Sequence, residues 1–304
     1  QALFIFGFDF YSNVDVGVDI NVDIIFDVDF DVDIGICVNF DIDLDGITQR
    51  SRPRHALLID PADQEPDVAA KRAIAAAMAG SSMILIGGSS GTDNRNVDQT
   101  VVAIKEALEL VQWAATQDSY AKSEDRLPIV LFPQGANALS PNADAITYMM
   151  LMNSTDPRFL IGEQVAGATF IKNSGIHPIS MGYVICAPGG KAGRVGKADL
   201  IESDETDRVS SYASAAEMLG FKLLYLEAGS GAESPVSSSL IEAARESTDL
   251  PIIVGGGIRD PQAAGRAVQA GADWIVTGNL GEQFEDADEL RQVLEALIEA
   301  MNSN

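Results

Sequence analysis

KLLYLEAGSGAESPVSSSLIEAA, residues 222–244, is the stretch whose reading decides the fold. Lys222 to Leu226 alternates and is rich in large apolar and aromatic residues, the pattern of a buried strand. Glu227 stands where that strand ends. Gly229, Ser230 and Gly231 follow, and Pro235 with the serines after it opens a helix. A carboxylate at the C-terminal end of a strand, followed by small residues whose N–H groups can approach an anion, is a catalytic layout. The same letters also suit an ordinary strand-to-helix turn with a surface Glu, so the neighbours must decide.

They do. PIIVGGGIRD (251–260) is again strand, glycines and helix start, and ADWIVTGN (272–279) is a strand followed by Thr-Gly-Asn. Phosphate-binding (β/α)₈ barrels commonly hold their ligand with the loops after strands 7 and 8. Upstream, the same texture begins at His55. Strands are expected at 55–60, 83–88, 127–132, 145–152 and 177–188, with helices at 67–80, 97–115 and 207–220. Residues 153–175 read as helical with a Gly-rich middle, 189–202 as a long polar loop, and 286–301 as a closing amphipathic helix. PQGANALSPNAD (133–144) has two Pro, one Gly and two Asn, so no helix is expected there. Eight strands in one order imply an α/β (β/α)₈ TIM barrel whose third helix is missing or modified.

The chain has 304 residues, of which 46% are apolar, enough for one such barrel and an extension. A net charge of −25 argues against nucleic acid as a partner. No run approaches the ~18 apolar residues of a membrane span. Cys37 and Cys186 form no C-x-x-C, which suits a reduced cytoplasmic protein.

Residues 1–50 differ from the rest, with eleven Asp, no Glu and one basic residue, Arg50. VDVGVDINVDIIFDVDFDVDIG (14–35) alternates Asp or Asn with Val, Ile or Phe and lacks turn signals. DIDLDG (41–46) imitates the start of a calcium loop, but Arg52 stands where the closing Glu belongs. The expected division is therefore a low-complexity acidic extension, 1–54, disordered or foreign to the enzyme, and a barrel, 55–304. Deleting 1–50 is expected to leave stability and activity nearly unchanged.

Barrel enzymes place working groups at the C-terminal ends of their strands. There stand Asp60, Ser89, Glu227 and the glycine turns of the last three strands. Asp60 and Ser89 are hard oxygen donors of the kind Mg²⁺ takes when phosphate and water complete its octahedron. Read singly, Asp60 also suits a strand-end cap and Ser89 a turn. His55 and His177 begin strands, at the wrong end for catalysis, and read as structural.

LIDP (58–61), IGGSSGTD (86–93), LFPQGAN (131–137), SPNADAITYMMLMNS (140–154), HPISMGYVICAPGGKAGRVG (177–196), YLEAGSGA (225–232), VGGGIR (254–259) and VTGN (276–279) together resemble geranylgeranylglyceryl phosphate synthase. The resemblance covers about 55–302, and YLEAGSGA is its most specific element. Two departures are Ala62-Asp63 after LIDP and a longer 114–127; residues 1–50 match nothing in the family.

The resemblance implies a prenyltransferase of archaeal ether-lipid biosynthesis that joins geranylgeranyl diphosphate to sn-glycerol 1-phosphate. Asp60 and Ser89 correspond to its Mg²⁺ ligands, and Glu227 and Tyr225 to its catalytic residues. Tyr225, Leu226, Glu227, Ala228, Gly229, Ser230, Gly231, Gly256, Gly257, Gly278 and Asn279 correspond to its glycerol phosphate site. A homo-oligomer and a transient membrane contact for the lipid product are also expected.

Other barrels stay open. A sugar-phosphate isomerase or lyase shares GGGI and TGN, but Lys222 begins its strand where a Schiff-base lyase needs a lysine at the end. An Amadori-type isomerase wants acids after strands 1 and 5, and strand 5 ends in Cys186-Ala187-Pro188. A bacterial heptaprenylglyceryl phosphate synthase is closer. A barrel that merely binds phosphate leaves Asp60 and Glu227 as coincidences.

Overall fold

The computed structural model describes residues 44–116 and 126–303. The alternating 14–35 stretch, Asp41 and Asp43 of the calcium-like run, Cys37, and most of the lengthened 114–127 segment lie outside them.

Eight parallel strands close into a barrel in chain order. They are β1 (Arg54–Ile59), β2 (Met83–Ile86), β3 (Ile129–Leu131), β4 (Ala145–Leu151), β5 (His177–Ile185), β6 (Leu223–Glu227), β7 (Ile252–Gly255) and β8 (Trp274–Thr277). The closure pairs β8 with β1, Trp274 opposite Arg54 and Thr277 opposite Leu57.

Because side chains alternate along each strand, every strand feeds two cores. Met83, Leu85, Met181, Tyr183, Leu223, Tyr225, Ile253 and Trp274 fill the barrel interior. Ile84, Ile86, Val184, Leu224, Leu226, Ile252 and Val254 face outward and pack against helix residues such as Ala73, Val101 and Leu240. Strands buried on both faces read as nearly continuous apolar runs, as MILI and PIIV do.

The helices covering the outer layer are α1 (Pro66–Met78), α2 (Asn94–Thr116), α3 (Glu163–Ser174), α4 (Gly190–Gly196), α5 (Thr206–Met218), α6 (Ser238–Ser247), α7 (Pro261–Gln269), the one-turn α8 (Asn279–Glu282) and α9 (Ala287–Asn302). A π-helical turn, Arg158–Gly162, leads into α3. Local chemistry starts several of them. Asp260 caps α7 by accepting from the Ala263 N–H at 2.8 Å, and Asp286 caps α9 by accepting from Asp288 and Glu289.

No helix lies between β3 and β4. The turn-rich chain there uses side chains where a helix would bond to itself. Leu139 N–H donates to Asn94 Oδ1 (2.8 Å), Ser140 Oγ to Asp98 (2.6 Å), and Ala136 N–H to Glu163 Oε2 (2.7 Å).

Two expectations are corrected. The polar loop at 189–202 contains α4, despite the poor helix propensity of its glycines. Gly193 and Gly196 are buried, and a Cβ at Gly196 would lie 2.4 Å from the Leu151 side chain. Tertiary packing sets that helix, and only small residues fit beneath it.

The second correction concerns the boundary at 54. A 3₁₀ turn, Asp45–Thr48, closes the base of the barrel and puts Ile47, 2% exposed, into the interior core. Arg54 donates to the Gly46 carbonyl at 2.5 Å and the Gln49 carbonyl at 2.6 Å, and its guanidinium lies 4.1 Å from the Trp274 ring centroid. Arg50 pairs with Asp273 at 3.3 Å. A short apolar plug inside an acidic stretch carries no periodic signal, so composition assigns it to the wrong side.

Candidate active site

Alternation along β6 separates its residues cleanly. Tyr225 and Glu227 point into the barrel mouth, whereas Leu226 and Ala228 belong to the outer core. Leu226 and Ala228 are therefore corrected out of the expected lining, since a strand's period of two sends neighbours to opposite faces.

Glu227 is 6% exposed. Its Oε1 accepts the Gly229 N–H at 2.6 Å, and the Tyr225 and Tyr183 phenols also bond to it. Burial pushes its carboxyl up to about 7, against the pull of those three donors. The two phenols are raised well above their ordinary range, chiefly by burial and then by Glu227, so they remain donors. Tyr183 stands opposite Tyr225 in the β5–β6 ladder, with rings edge to face at 5.2 Å, and Phe132 closes the cluster at 5.4 and 5.7 Å. Neither Tyr183 nor Phe132 was legible as a site residue, although inward parity on strands 3 and 5 is the signal that marks them.

The glycine turns do not all offer the same thing. In the β6 turn, the Gly229 N–H is taken by Glu227 and the Gly231 N–H by Asn279 Oδ1 at 3.0 Å. Ser230 Oγ donates to the same Asn279 oxygen at 3.3 Å, and Asn279 Nδ2 donates to Glu282 at 2.7 Å. Gly256, Gly257, Gly278 and Asn279 keep N–H groups that meet no acceptor among the described residues. Gly256 has φ +80°, and a Cβ there would lie 2.2 Å from Glu227 Oε1. Arg259 lines the mouth and donates to the Ala232 carbonyl at 3.0 Å.

Asp60 and Ser89 line the same cleft. Asp60 Oδ1 accepts from Ala62 N–H at 2.9 Å, and a Cβ on Gly88 would lie 1.9 Å from Oδ2. Burial first, with Asp63 and Glu282 adding to it, raises the Asp60 carboxyl to about 6 despite Ala62 and Lys191. No cluster of three or more His, Cys, Asp or Glu suited to a metal exists among the described residues. One carboxylate and one hydroxyl fit a hard ion that brings phosphate and water with it, which is the habit of Mg²⁺.

From this polar end the cleft runs over β3 and β4 into the space where a third helix would sit. Ile146, Met149, Phe159, Leu139 and Ile171 line that arm, and the whole cleft has about 1530 Å³ of empty space, counting its open mouth. Tyr148 Oη donates to the Gln164 carbonyl at 2.7 Å, and Gln164 bonds Met149 O, tying α3 to the arm. His55, by contrast, does not line the cleft and is buried between Ser81 Oγ (2.8 Å) and Thr277 Oγ1 (2.9 Å).

The profile of the PcrB family matches residues 48–297. The chain belongs to the PcrB family. That membership carries the enzyme class, prenyltransferase. Geranylgeranylglyceryl phosphate synthase from Thermoplasma volcanium is 44% identical over 252 residues, covering 82% of this chain and 93% of the relative. The synthase of that name from Methanococcoides burtonii is 40% identical and covers 85% and 97%. Among solved structures, this PcrB-family barrel is similar to the synthase from Thermoplasma acidophilum in complex with sn-glycerol-1-phosphate. They share 37% identity and a TM-score of 0.75, over 84% of this chain and 95% of that one. Wild-type synthase from T. volcanium gives 42% identity and a TM-score of 0.74.

Proposed function

We propose that this protein transfers a geranylgeranyl group from geranylgeranyl diphosphate to the C3 hydroxyl of sn-glycerol 1-phosphate, with Mg²⁺, releasing diphosphate. The observation that carries the reading is a buried carboxylate, Glu227, set between a phosphate-sized row of free N–H groups and a long apolar arm. The names of the relatives, and the glycerol phosphate bound in the T. acidophilum synthase, support it.

In this reading the free N–H groups of Gly256, Gly257, Gly278 and Asn279 hold the acceptor's phosphate, as helix N-termini and tight turns do elsewhere. The β6 turn serves Glu227 instead of the phosphate. Glu227, aimed by Gly229 and the two phenols, takes the proton of the C3 hydroxyl as that oxygen bonds the allylic carbon. The allylic C–O bond breaks, and its electron pair leaves with diphosphate. Asp60 and Ser89 would hold Mg²⁺, which when bound supplies charge neutralisation to that leaving group. The apolar arm takes the prenyl chain and keeps water from the short-lived cation.

The setting proposed is cytoplasmic and homo-oligomeric. Leu110 and Trp113 on α2, and Met218 and Leu219 at the end of α5, are exposed and support the second part. Among the described residues no helix is long and apolar enough to cross a membrane. Exposed Ile161 and Val165 beside the cleft support passing contact with a lipid surface.

The test is an assay with a ladder of labelled prenyl diphosphates and both glycerol phosphate enantiomers, products resolved by mass. The expected product is the geranylgeranyl ether of the 1-phosphate, lost on chelation of Mg²⁺. Preference for a longer donor assigns a heptaprenyl enzyme instead, and equal use of the 3-phosphate overturns the acceptor assignment.

A further inference from the structure

The cleft lining includes four carboxyl groups, Asp60, Glu163, Glu227 and Glu282, and one cationic side chain, Arg259. A cleft that takes phosphate esters makes that cation worth placing. Arg259 follows Gly256, Gly257 and Ile258 in the β7 turn, and Asp260 after it caps α7. Its guanidinium is moored to the neighbouring β6 turn. Nη2 donates to the Ala232 carbonyl at 3.0 Å and to the Gly231 carbonyl at 3.4 Å. The backbones of the two turns are in contact as well, since a Cβ on Gly257 would lie 2.5 Å from the Ser234 carbonyl oxygen. Nε and Nη1 meet no acceptor among the described residues, and the residue is exposed at the mouth, where an arriving ligand can reach it.

We propose that Arg259 is the charged ligand of the acceptor's phosphate, beside the N–H groups of Gly256, Gly257, Gly278 and Asn279. The assignment rests on the function proposed above and adds a cation to a cradle otherwise built from neutral donors. Arg259 leaves the chain two residues after Gly257. The Gly231 carbonyl that it holds belongs to the residue whose N–H bonds Asn279 Oδ1 at 3.0 Å, so Arg259 and Asn279 grip the same glycine from β7 and β8. In the closed order β7 lies between β6 and β8, whose ends carry Glu227 and the Gly278–Asn279 turn, whereas Asp60 and Ser89 follow β1 and β2, further round the rim. Arg259 therefore serves the acceptor side of the cleft. A guanidinium already held by two carbonyls has less freedom to lose when the anion arrives, and its remaining donors offer a phosphate oxygen charge-assisted hydrogen bonds. It gives up no proton, and the proton of the C3 hydroxyl still goes to Glu227.

Calorimetric titration of the wild type, Arg259→Gln and Arg259→Lys with sn-glycerol 1-phosphate, with inorganic phosphate and with magnesium diphosphate tests this without turnover. Arg259→Gln is expected to weaken glycerol phosphate and inorganic phosphate about tenfold or more, and Arg259→Lys to recover part of that loss. Wild-type affinity is expected to fall with added salt more steeply than that of Arg259→Gln, because a charge has been removed. Magnesium diphosphate affinity and the melting temperature are expected to stay put. In steady state KM for glycerol phosphate rises by more than kcat falls. Equal glycerol phosphate affinity in wild type and Arg259→Gln overturns the assignment, as does a loss that falls on magnesium diphosphate. Arg259→Lys no better than Arg259→Gln overturns it too, leaving Arg259 only the mooring of the β6 turn. Should Arg259→Gln not fold, a wild-type affinity for inorganic phosphate that does not respond to salt overturns the assignment by itself. A wild type that binds inorganic phosphate through Arg259 but forms no prenyl ether overturns the proposed function and leaves Arg259 as an anion site.

Discussion

The Glu227 carboxylate accepts a hydrogen bond at 2.6 Å from the N–H of Gly229, two residues further along the same turn. One bond thereby assigns two jobs. It aims the carboxylate into the mouth, and it leaves the β6 turn one N–H fewer to offer an anion. In the function proposed above, the phosphate cradle falls to the β7 and β8 turns. Gly256 joins the two, because its Cα lies directly against Glu227 Oε1.

Glu227→Gln keeps the shape and removes the base. Rates of prenyl transfer are expected to fall about 10²–10⁴-fold, with glycerol phosphate affinity little changed. Single-turnover kinetics beside calorimetry check this, and wild-type turnover in the variant removes Glu227 from the mechanism.

The pH dependence follows from burial of the same group. With its carboxyl at about 7, the ionised base grows as pH rises, so kcat/KM is expected to climb about tenfold per unit below that value and level off above it. Stability runs the other way. A carboxyl raised from 4.5 to about 7 favours the fold below 4.5 and loses that contribution as pH climbs to 7. Glu227→Gln is therefore expected to melt increasingly above the wild type over that window. Parallel melting curves across pH 4.5–7 would count against the buried-charge account.

Gly256→Ala is expected to lose activity about 10²-fold or more, because a misplacement of about 1 Å at the reacting groups costs that much. The new methyl would stand 2.2 Å from Glu227 Oε1, on a backbone at φ +80° that alanine resists. Kinetics and melting temperature are both expected to fall. An active, fully stable Gly256→Ala would show that the carboxylate has another seat.

Two truncations separate the base plug from what precedes it. A chain starting at Leu44 retains Ile47 and Arg50, and one starting at Ser51 loses both. The shorter chain is expected to be less stable by about 3 kcal/mol, the scale of deleting a buried Ile side chain, because Arg54 also loses the Gly46 and Gln49 carbonyls. Activity of the folded fraction is expected to match, since the plug and the mouth lie at opposite ends of the barrel. Equal denaturant midpoints for the two chains would show that Ile47 contributes nothing.

How much was legible depended on the range of the interaction concerned. The barrel was readable because its causes are local. Apolar runs such as MILI and PIIV are what doubly buried strands require, and Asp260-Pro261 starts a helix by its own chemistry. The absent third helix was readable for the same reason, since two prolines and two asparagines in 133–144 deny it a nucleus. Asp60, Ser89, Glu227 and the glycine turns were readable because strand ends place them at the mouth. Contacts across the barrel were not. That Tyr183 reaches Glu227, that the Gly229 N–H is already spent, and that Ile47 closes the base all join residues far apart in the chain or depend on which face a side chain takes. Residue order dictates the strands and their alternation, whereas closure of the sheet decides which inward side chains meet.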